Sequence, residues 1–259
     1  MRMMKKVLGT VTVLALSASL LAGCGSTAAS PVSSAASTAA ESTTSSVVSE
    51  TTSAAADENV AAAAQLLNDL TGSYQELWPV ILADEYQQTW LDDCTALVGE
   101  ENAEAAFEKL SSMVTSDVYG EDAVEAYANG GGAYFCGFTN SLAILTFDGE
   151  TSTISGTDKD GNVLFSHTYH YIGMEPVRGL YEFQSDDADS GEFTYFFLAP
   201  DTSAETYHIE FRYGSDAEAL SQYDAGEYAY WLASGISTDC DQTMIDNCIE
   251  LFCTENLAG

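Results

Sequence analysis

At 259 residues the chain is long enough for one or two domains, and 46% hydrophobic residues against 18% charged allow a packed core over most of it. Charge is one-sided: 40 Asp and Glu stand against 7 Lys and Arg, and Arg2, Lys5 and Lys6 account for three of those cations. Lys109, Lys159, Arg178 and Arg212 are all that the rest of the chain retains, which argues against nucleic acid and against a polybasic membrane patch, since both need clustered cations.

In chain order, Met1–Lys6 is a basic stretch and Val7–Leu21 an apolar run broken by Ser and Thr. Leu21-Ala22-Gly23-Cys24 then places a cysteine at the cleavage point of a secretory leader. The pattern looks like a bacterial lipoprotein lipobox, so residues 1–23 are expected to be a signal peptide and Cys24 the site of lipid attachment. The apolar run is too short and interrupted for a transmembrane helix, so the membrane contact expected is the lipid anchor alone. Residues 24–56 are rich in Ser, Thr and Ala and hold no aromatic. They cannot bury enough apolar surface to offset ordering entropy, and read as a flexible linker. A linker of this length suits a protein on the extracellular face of the cell membrane, standing off through a Gram-positive wall.

Residues 57–259 read as the folded domain. Asp57-Glu58 followed by Leu66, Leu67 and Leu70 predicts an amphipathic helix that Thr71-Gly72 ends. Tyr74 to Val80 is an apolar, aromatic stretch. Helices are expected over Asp84–Leu97, Glu101–Met113 and Glu121–Ala128, with Gly130-Gly131-Gly132 as a joint. The pattern then changes to short apolar runs between turn clusters, with strands expected at Ala133–Phe138, Leu142–Phe147, Thr151–Ser155, Val163–Ile172, Gly179–Phe183, Phe193–Leu198 and Glu205–Tyr213. Ser215–Gln222 and Asp239–Thr254 read as helices. Short consecutive strands joined by hairpin-type turns predict a mainly β, α+β fold: an antiparallel barrel with flanking helices.

Three blocks carry a resemblance to a known family. They are Leu67–Pro79 (LNDLTGSYQELWP), Val177–Phe183 with the acidic turn and Gly191–Tyr195 that follow, and Thr206–Phe211 (TYHIEF) with Gly214-Ser215 and Tyr228–Trp231. Their order and spacing over most of the domain resemble the ZinT (YodA) family of extracytoplasmic zinc-binding proteins. The resemblance implies a calycin-like, lipocalin-like barrel, Zn²⁺ captured at a barrel opening, and zinc recruitment at the cell surface. The family's site uses three histidines, two of them in His-x-His. Here Leu198-Ala199-Pro200-Asp201 stands where the first is expected, Thr206 replaces the second, and His208 remains.

The residues support a metal reading on their own terms. Thr206, His208 and Glu210 alternate along a predicted strand and share one face. An imidazole and a carboxylate on one face make half of a zinc site, which takes four N, O or S ligands. His170, on another strand, is a further candidate. His167, three residues away, points to the opposite side. Asp201, at the start of the loop into the His208 strand, is the fourth candidate. Asp158-Lys159-Asp160-Gly161-Asn162 begins like a calcium loop, but position twelve is Tyr169, and a hairpin turn accounts for it. Asp186-Asp187-Ala188-Asp189 is a second acidic turn where a weak Ca²⁺ site is conceivable. No Gly-x-Ser-x-Gly elbow, His-Glu-x-x-His or phosphate loop is present, so the protein is not expected to be an enzyme.

Apart from Cys24, the cysteines are Cys94, Cys136, Cys240, Cys248 and Cys253, an odd set consistent with burial or one disulfide. Recurrent strand aromatics read as barrel core, with a pocket for an apolar or sugar ligand inside the barrel as the sharper reading. The functional expectation is a surface-anchored lipoprotein that binds zinc or another divalent cation and hands it to a metal ABC-transporter component. The alternative is a barrel with a degenerate metal site that binds a small ligand or a protein partner.

Overall fold

A computed structural model of the chain describes residues 58–199 and 208–258. The expected leader (1–23), Cys24 with the linker (24–56), Asp57, and the segment holding Asp201 and Thr206 lie outside the described residues.

Helix α1 (58–69) turns Ala63, Leu66, Leu67 and Leu70 inward, as its apolar spacing dictates. The chain then enters strand β1 (Gly72–Glu76), helix α2 (Leu77–Ile81) and a 3₁₀ turn (Asp84–Tyr86), followed by helices α3 (Gln87–Val98), α4 (Ala103–Val114) and α5 (Glu121–Ala126). Strands β2 (Ile144–Asp148), β3 (Thr153–Thr157), β4 (Val163–Met174), β5 (Tyr181–Ser185) and β6 (Tyr195–Leu198) come next. Strand β7 (His208–Gly214), helix α6 (Ala217–Leu220), strand β8 (Ala233–Ser237) and helix α7 (Gln242–Leu257) complete the described chain.

Among the described residues, each strand pairs antiparallel with its neighbour in sequence, and β8 returns to β1, so the eight strands close into an up-and-down barrel. Closure leaves no open sheet edge. With helices before and after it, the fold is the calycin-like α+β barrel expected from the strand-rich pattern. Two expected details change. Residues 133–138 are not a strand; Phe135 makes isolated bridges to Thr115 and Trp231. Strands β1 and β8, which complete the barrel, were not anticipated.

Among the described residues, side chains from the strands pack together in the middle of the barrel. Leu145, Phe147, Ile154, Tyr169, Phe183, Phe196, Ile209, Phe211 and Tyr213 are all buried in one cluster. Phe196 lies 5.4 Å from both Tyr169 and Tyr213 and 6.4 Å from Phe211, centroid to centroid. The strand aromatics are therefore core. A second cluster lies between helices and barrel wall: Trp78, Ile81, Trp90, Cys94, Leu110, Ile245, Cys248, Ile249 and Cys253 pack with Ile236 of β8. Trp90 donates its indole N–H to the Ile81 carbonyl at 2.7 Å, which fixes α3 against the end of α2.

The β2–β3 turn touches α1 so closely that only glycine fits at Gly149. A Cβ there would lie 2.4 Å from the Asn68 Cα, and the Gly149 N–H donates to the Thr71 hydroxyl at 3.0 Å.

Arg212 points outward from β7 and is fully buried. Its guanidinium donates to the carbonyls of Leu220, Gln222 and Tyr228 and stacks 4.4 Å from the Tyr223 ring centroid. Arg178 covers Tyr223 as well, at 4.3 Å, and donates to the Tyr134 hydroxyl at 2.9 Å. Glu175, also buried, accepts the Val177 and Arg178 backbone N–H groups at 2.7 Å each and the Tyr223 hydroxyl at 3.4 Å. Burial lowers the Arg212 pKa, yet guanidinium remains charged because its ordinary value is so high.

Two predictions follow from this packing. Arg212→Leu strands three carbonyls without their donor and is expected to lower unfolding stability by about 3 kcal/mol or more, read from urea midpoints. Alkali has a defined sign. Burial pushes the Cys136 and Cys248 thiols and the Tyr74, Tyr223 and Tyr228 phenols up to about 12, from ordinary values of 9.0 and 10.0. The folded state thus holds protons that the unfolded chain releases. Stability is expected to be undiminished below pH 9 and to fall between pH 9 and 12, checked by Tm across that range.

Candidate functional site

Strand β7 sets the geometry. Ile209, Phe211 and Tyr213 point into the barrel cluster, so alternation sends His208, Glu210 and Arg212 to the outer face. His208 is paired in register with Ile236, which packs in the helical cluster, and Glu210 with Ser234. The two side chains therefore project from the barrel wall toward α2 and α7, not into the lumen.

There they line a cavity of about 70 Å³ together with Leu77, Trp78, Ile81, Cys248, Leu251, Phe252 and Glu255. The volume is room for an ion and one or two waters. Helix α7 supplies Cys248 and Glu255, seven residues apart and so on one face. It is held in place at its start by Asp241, whose carboxylate accepts the Met244 N–H at 3.0 Å. Cys248 is raised first by burial, then by the negative charges of Cys240, Glu210 and Glu255. Glu210 also raises Cys136 after burial has done so, which places one carboxylate within electrostatic reach of two thiols.

The cavity thus gathers imidazole, carboxylate and thiol, the donor types that zinc accepts. Among the described residues, no three His, Cys, Asp or Glu side chains already stand close enough together to hold an ion. The preceding segment, with Asp201 and Thr206, lies outside the described residues.

His170 is elsewhere. It sits on the exposed face of β4, with Nδ1 at 2.6 Å from the Asp186 carboxylate, and it does not line the cavity. Strands β4 and β7 are separated by β5 and β6 around the barrel, so His170 and His208 face different directions. His167 takes the opposite side of β4, as the spacing predicted, and bonds to Asp187 at 2.7 Å. The acidic turn at 186–189 is therefore occupied by histidine pairing. The Asp158–Asn162 segment is the β3–β4 turn, where the Asp158 carboxylate accepts the Asp160 and Asn162 N–H groups at 2.9 Å each. Those hydrogen bonds, led by the Asn162 side chain, hold its pKa below the usual carboxylate range.

Sequence reasoning found His208 and Glu210 through their i, i+2 spacing. It missed Cys248 and Glu255, although their seven-residue spacing on the last helix was readable. What it lacked was the docking of that helix on the outside of β7.

A second, larger cleft of about 320 Å³ lies beside the first and shares Trp78 with it. Glu76, Pro79, Leu82, Val114–Ser116 and Phe135–Gly137 complete its lining. One Glu76 oxygen accepts the Phe138 N–H at 2.6 Å, and the buried Trp78 indole lies against the Cys136 thiol, whose pKa it lowers after burial has raised it.

Comparison with protein-family models finds no match. Comparison with curated proteins finds none either. Among solved structures, the chain is similar to the Zn(II)-bound ZinT-like domain of Streptococcus pneumoniae AdcA, at 15% identity and a TM-score of 0.45, over 71% of this chain and 89% of that one. It is also similar to Zn(II)-bound AdcA from Streptococcus pneumoniae, at 14% identity and a TM-score of 0.42, over 72% of this chain and 35% of that one.

Proposed function

We propose that the protein is a surface-anchored lipoprotein that captures zinc or a similar divalent cation and passes it to a metal ABC-transporter component. One observation carries the metal reading: His208 and Glu210 open onto a single cavity that also presents Cys248 and Glu255. These supply N, O and S donors in one place. The sequence blocks that resemble the ZinT family support the same reading, as does His208 standing in the family's His-x-His strand. The role proposed is capture, not catalysis. The ion is cargo, and among the described residues the donors would have to close further around it to hold it. The leader pattern, Cys24 and the Ser/Thr/Ala-rich linker support export and lipid anchoring. The acidic excess raises the local concentration of cations modestly and without selectivity.

The experiment is zinc stoichiometry on the full chain, purified in detergent and dialysed against a weak chelator. About one zinc per chain is expected to remain, to be lost in His208→Ala, and to persist in His170→Ala. Zinc retained by His208→Ala, or none retained by the parent chain, would sink the proposal.

The larger cleft favours a second reading, in which the protein holds a small organic ligand. Its lining is mostly apolar, with the Glu76 carboxylate at one side, and its volume is within the usual range for ligand sites. Such a ligand would carry an apolar body and a cation for Glu76. Under that reading, a primary-amine ligand quenches tryptophan fluorescence in the parent chain and fails to do so in Glu76→Gln. Equal quenching in both would dismiss it.

A further inference from the structure

Helices α3 and α7 bring two cysteines together from positions 159 residues apart in sequence: Cys94 Sγ lies 3.9 Å from Cys253 Sγ. Both side chains are fully buried. They face each other across the packed seam that also holds Trp90, Ile249 and Phe252. This separation is van der Waals contact between sulfurs. A disulfide needs about 2.0 Å, a closure within reach of a change in side-chain torsions and a small slide of α7. The other thiols have different surroundings. Cys136 points to the Tyr134 carbonyl at 3.9 Å, and Cys248 faces the His208 cavity.

We propose that Cys94 and Cys253 form a disulfide that staples the last helix to the helical layer, leaving Cys136, Cys240 and Cys248 as thiols. Two thiols lose two protons and two electrons as the S–S bond forms. The acceptor is a disulfide oxidant, either an oxidised dithiol protein or a small-molecule disulfide, whose own bond is reduced to two thiols through a mixed disulfide. An exported protein meets such oxidants.

The packing dictates when the bond forms. Burial raises both thiols in the docked state, and the Asp93 carboxylate beside them adds to the effect. Thiolate, the attacking species, is thereby suppressed once α7 has docked. Exchange must start while α7 is still loose, and docking then seals the bond from reductant. The staple has a bearing on the proposed cation site, because α7 carries Cys248, Phe252 and Glu255 to the cavity wall. It stands independently of whether zinc binds there.

The test is refolding of the full chain in a mixture of reduced and oxidised glutathione, followed by alkylation, digestion and mass spectrometry. A peptide pair joining Cys94 to Cys253, two hydrogens lighter than the separate thiols, is expected as the dominant cross-link, with Cys136, Cys240 and Cys248 alkylated after denaturation. Closing so long a loop is expected to raise Tm by on the order of 10 °C over the reduced chain. The Cys94→Ala/Cys253→Ala double variant is expected to melt at the same temperature with and without oxidant. Cys94 and Cys253 both alkylated after refolding, or a dominant cross-link through any other cysteine, would overturn the proposal. Because the linkage is read on the parent chain, it is decided even if the double variant does not fold.

Discussion

A buried cation closes this barrel. Arg212 leaves the outer face of β7 and gathers the carbonyls of Leu220, Gln222 and Tyr228 from the irregular stretch that carries the chain round to β8. That stretch has little regular structure of its own beyond the short α6. Its backbone acceptors must be satisfied inside the protein, and the guanidinium fork does so for three of them at once. Backbone bonds from Leu232 and Ser234 to Phe135 and Cys136, and from the Trp231 indole to Gly137, hold the approach to β8 together with it. Strand β8 is the piece that joins β7 to β1, and Arg212 orders the stretch that delivers it.

The closed wall separates two kinds of interior. Inside it, aromatic rings from most strands pack against one another. Outside it, α2, α3, α4 and α7 pack against β8 around Trp78 and Trp90. A helix laid on a curved sheet cannot match it everywhere, and both cavities described above occur in this second layer. The chemistry sits there for the same reason. Polar side chains of β7 that would be excluded from the lumen face a seam where helix residues can meet them.

Much of this was legible from residues alone, and the exceptions have physical causes. The six strands from β2 to β7 announce themselves through apolar alternation and Asp-Gly or Ser-Gly turns. Strand β8 reads Ala-Ser-Gly-Ile-Ser. It is covered on both faces, so nothing selects for alternation. Strand β1 follows a helix with two residues between them and runs directly into the next helix, which hides its period of two. Residues 133–138 have strand composition but find only isolated bridges, since the closed sheet offers no free edge. His208 and Glu210 follow from spacing along one strand. His170 needed the order of strands round the barrel, and Cys248 and Glu255 needed the docking of α7; both are long-range facts that a local pattern does not contain.

The sandwich around Tyr223 has an effect far from where it lies. It buries Arg212 and half-buries Arg178, and Lys109 and Lys159 are then the remaining cations of the folded domain, both exposed. The solvent-facing shell is close to a pure polyanion. Its potential reaches roughly a Debye length, about 8 Å at physiological ionic strength. Within that layer small cations are enriched, while polyanions and other copies of the chain are held off. Two arginines spent on architecture thereby set how the molecule behaves toward everything it meets before contact.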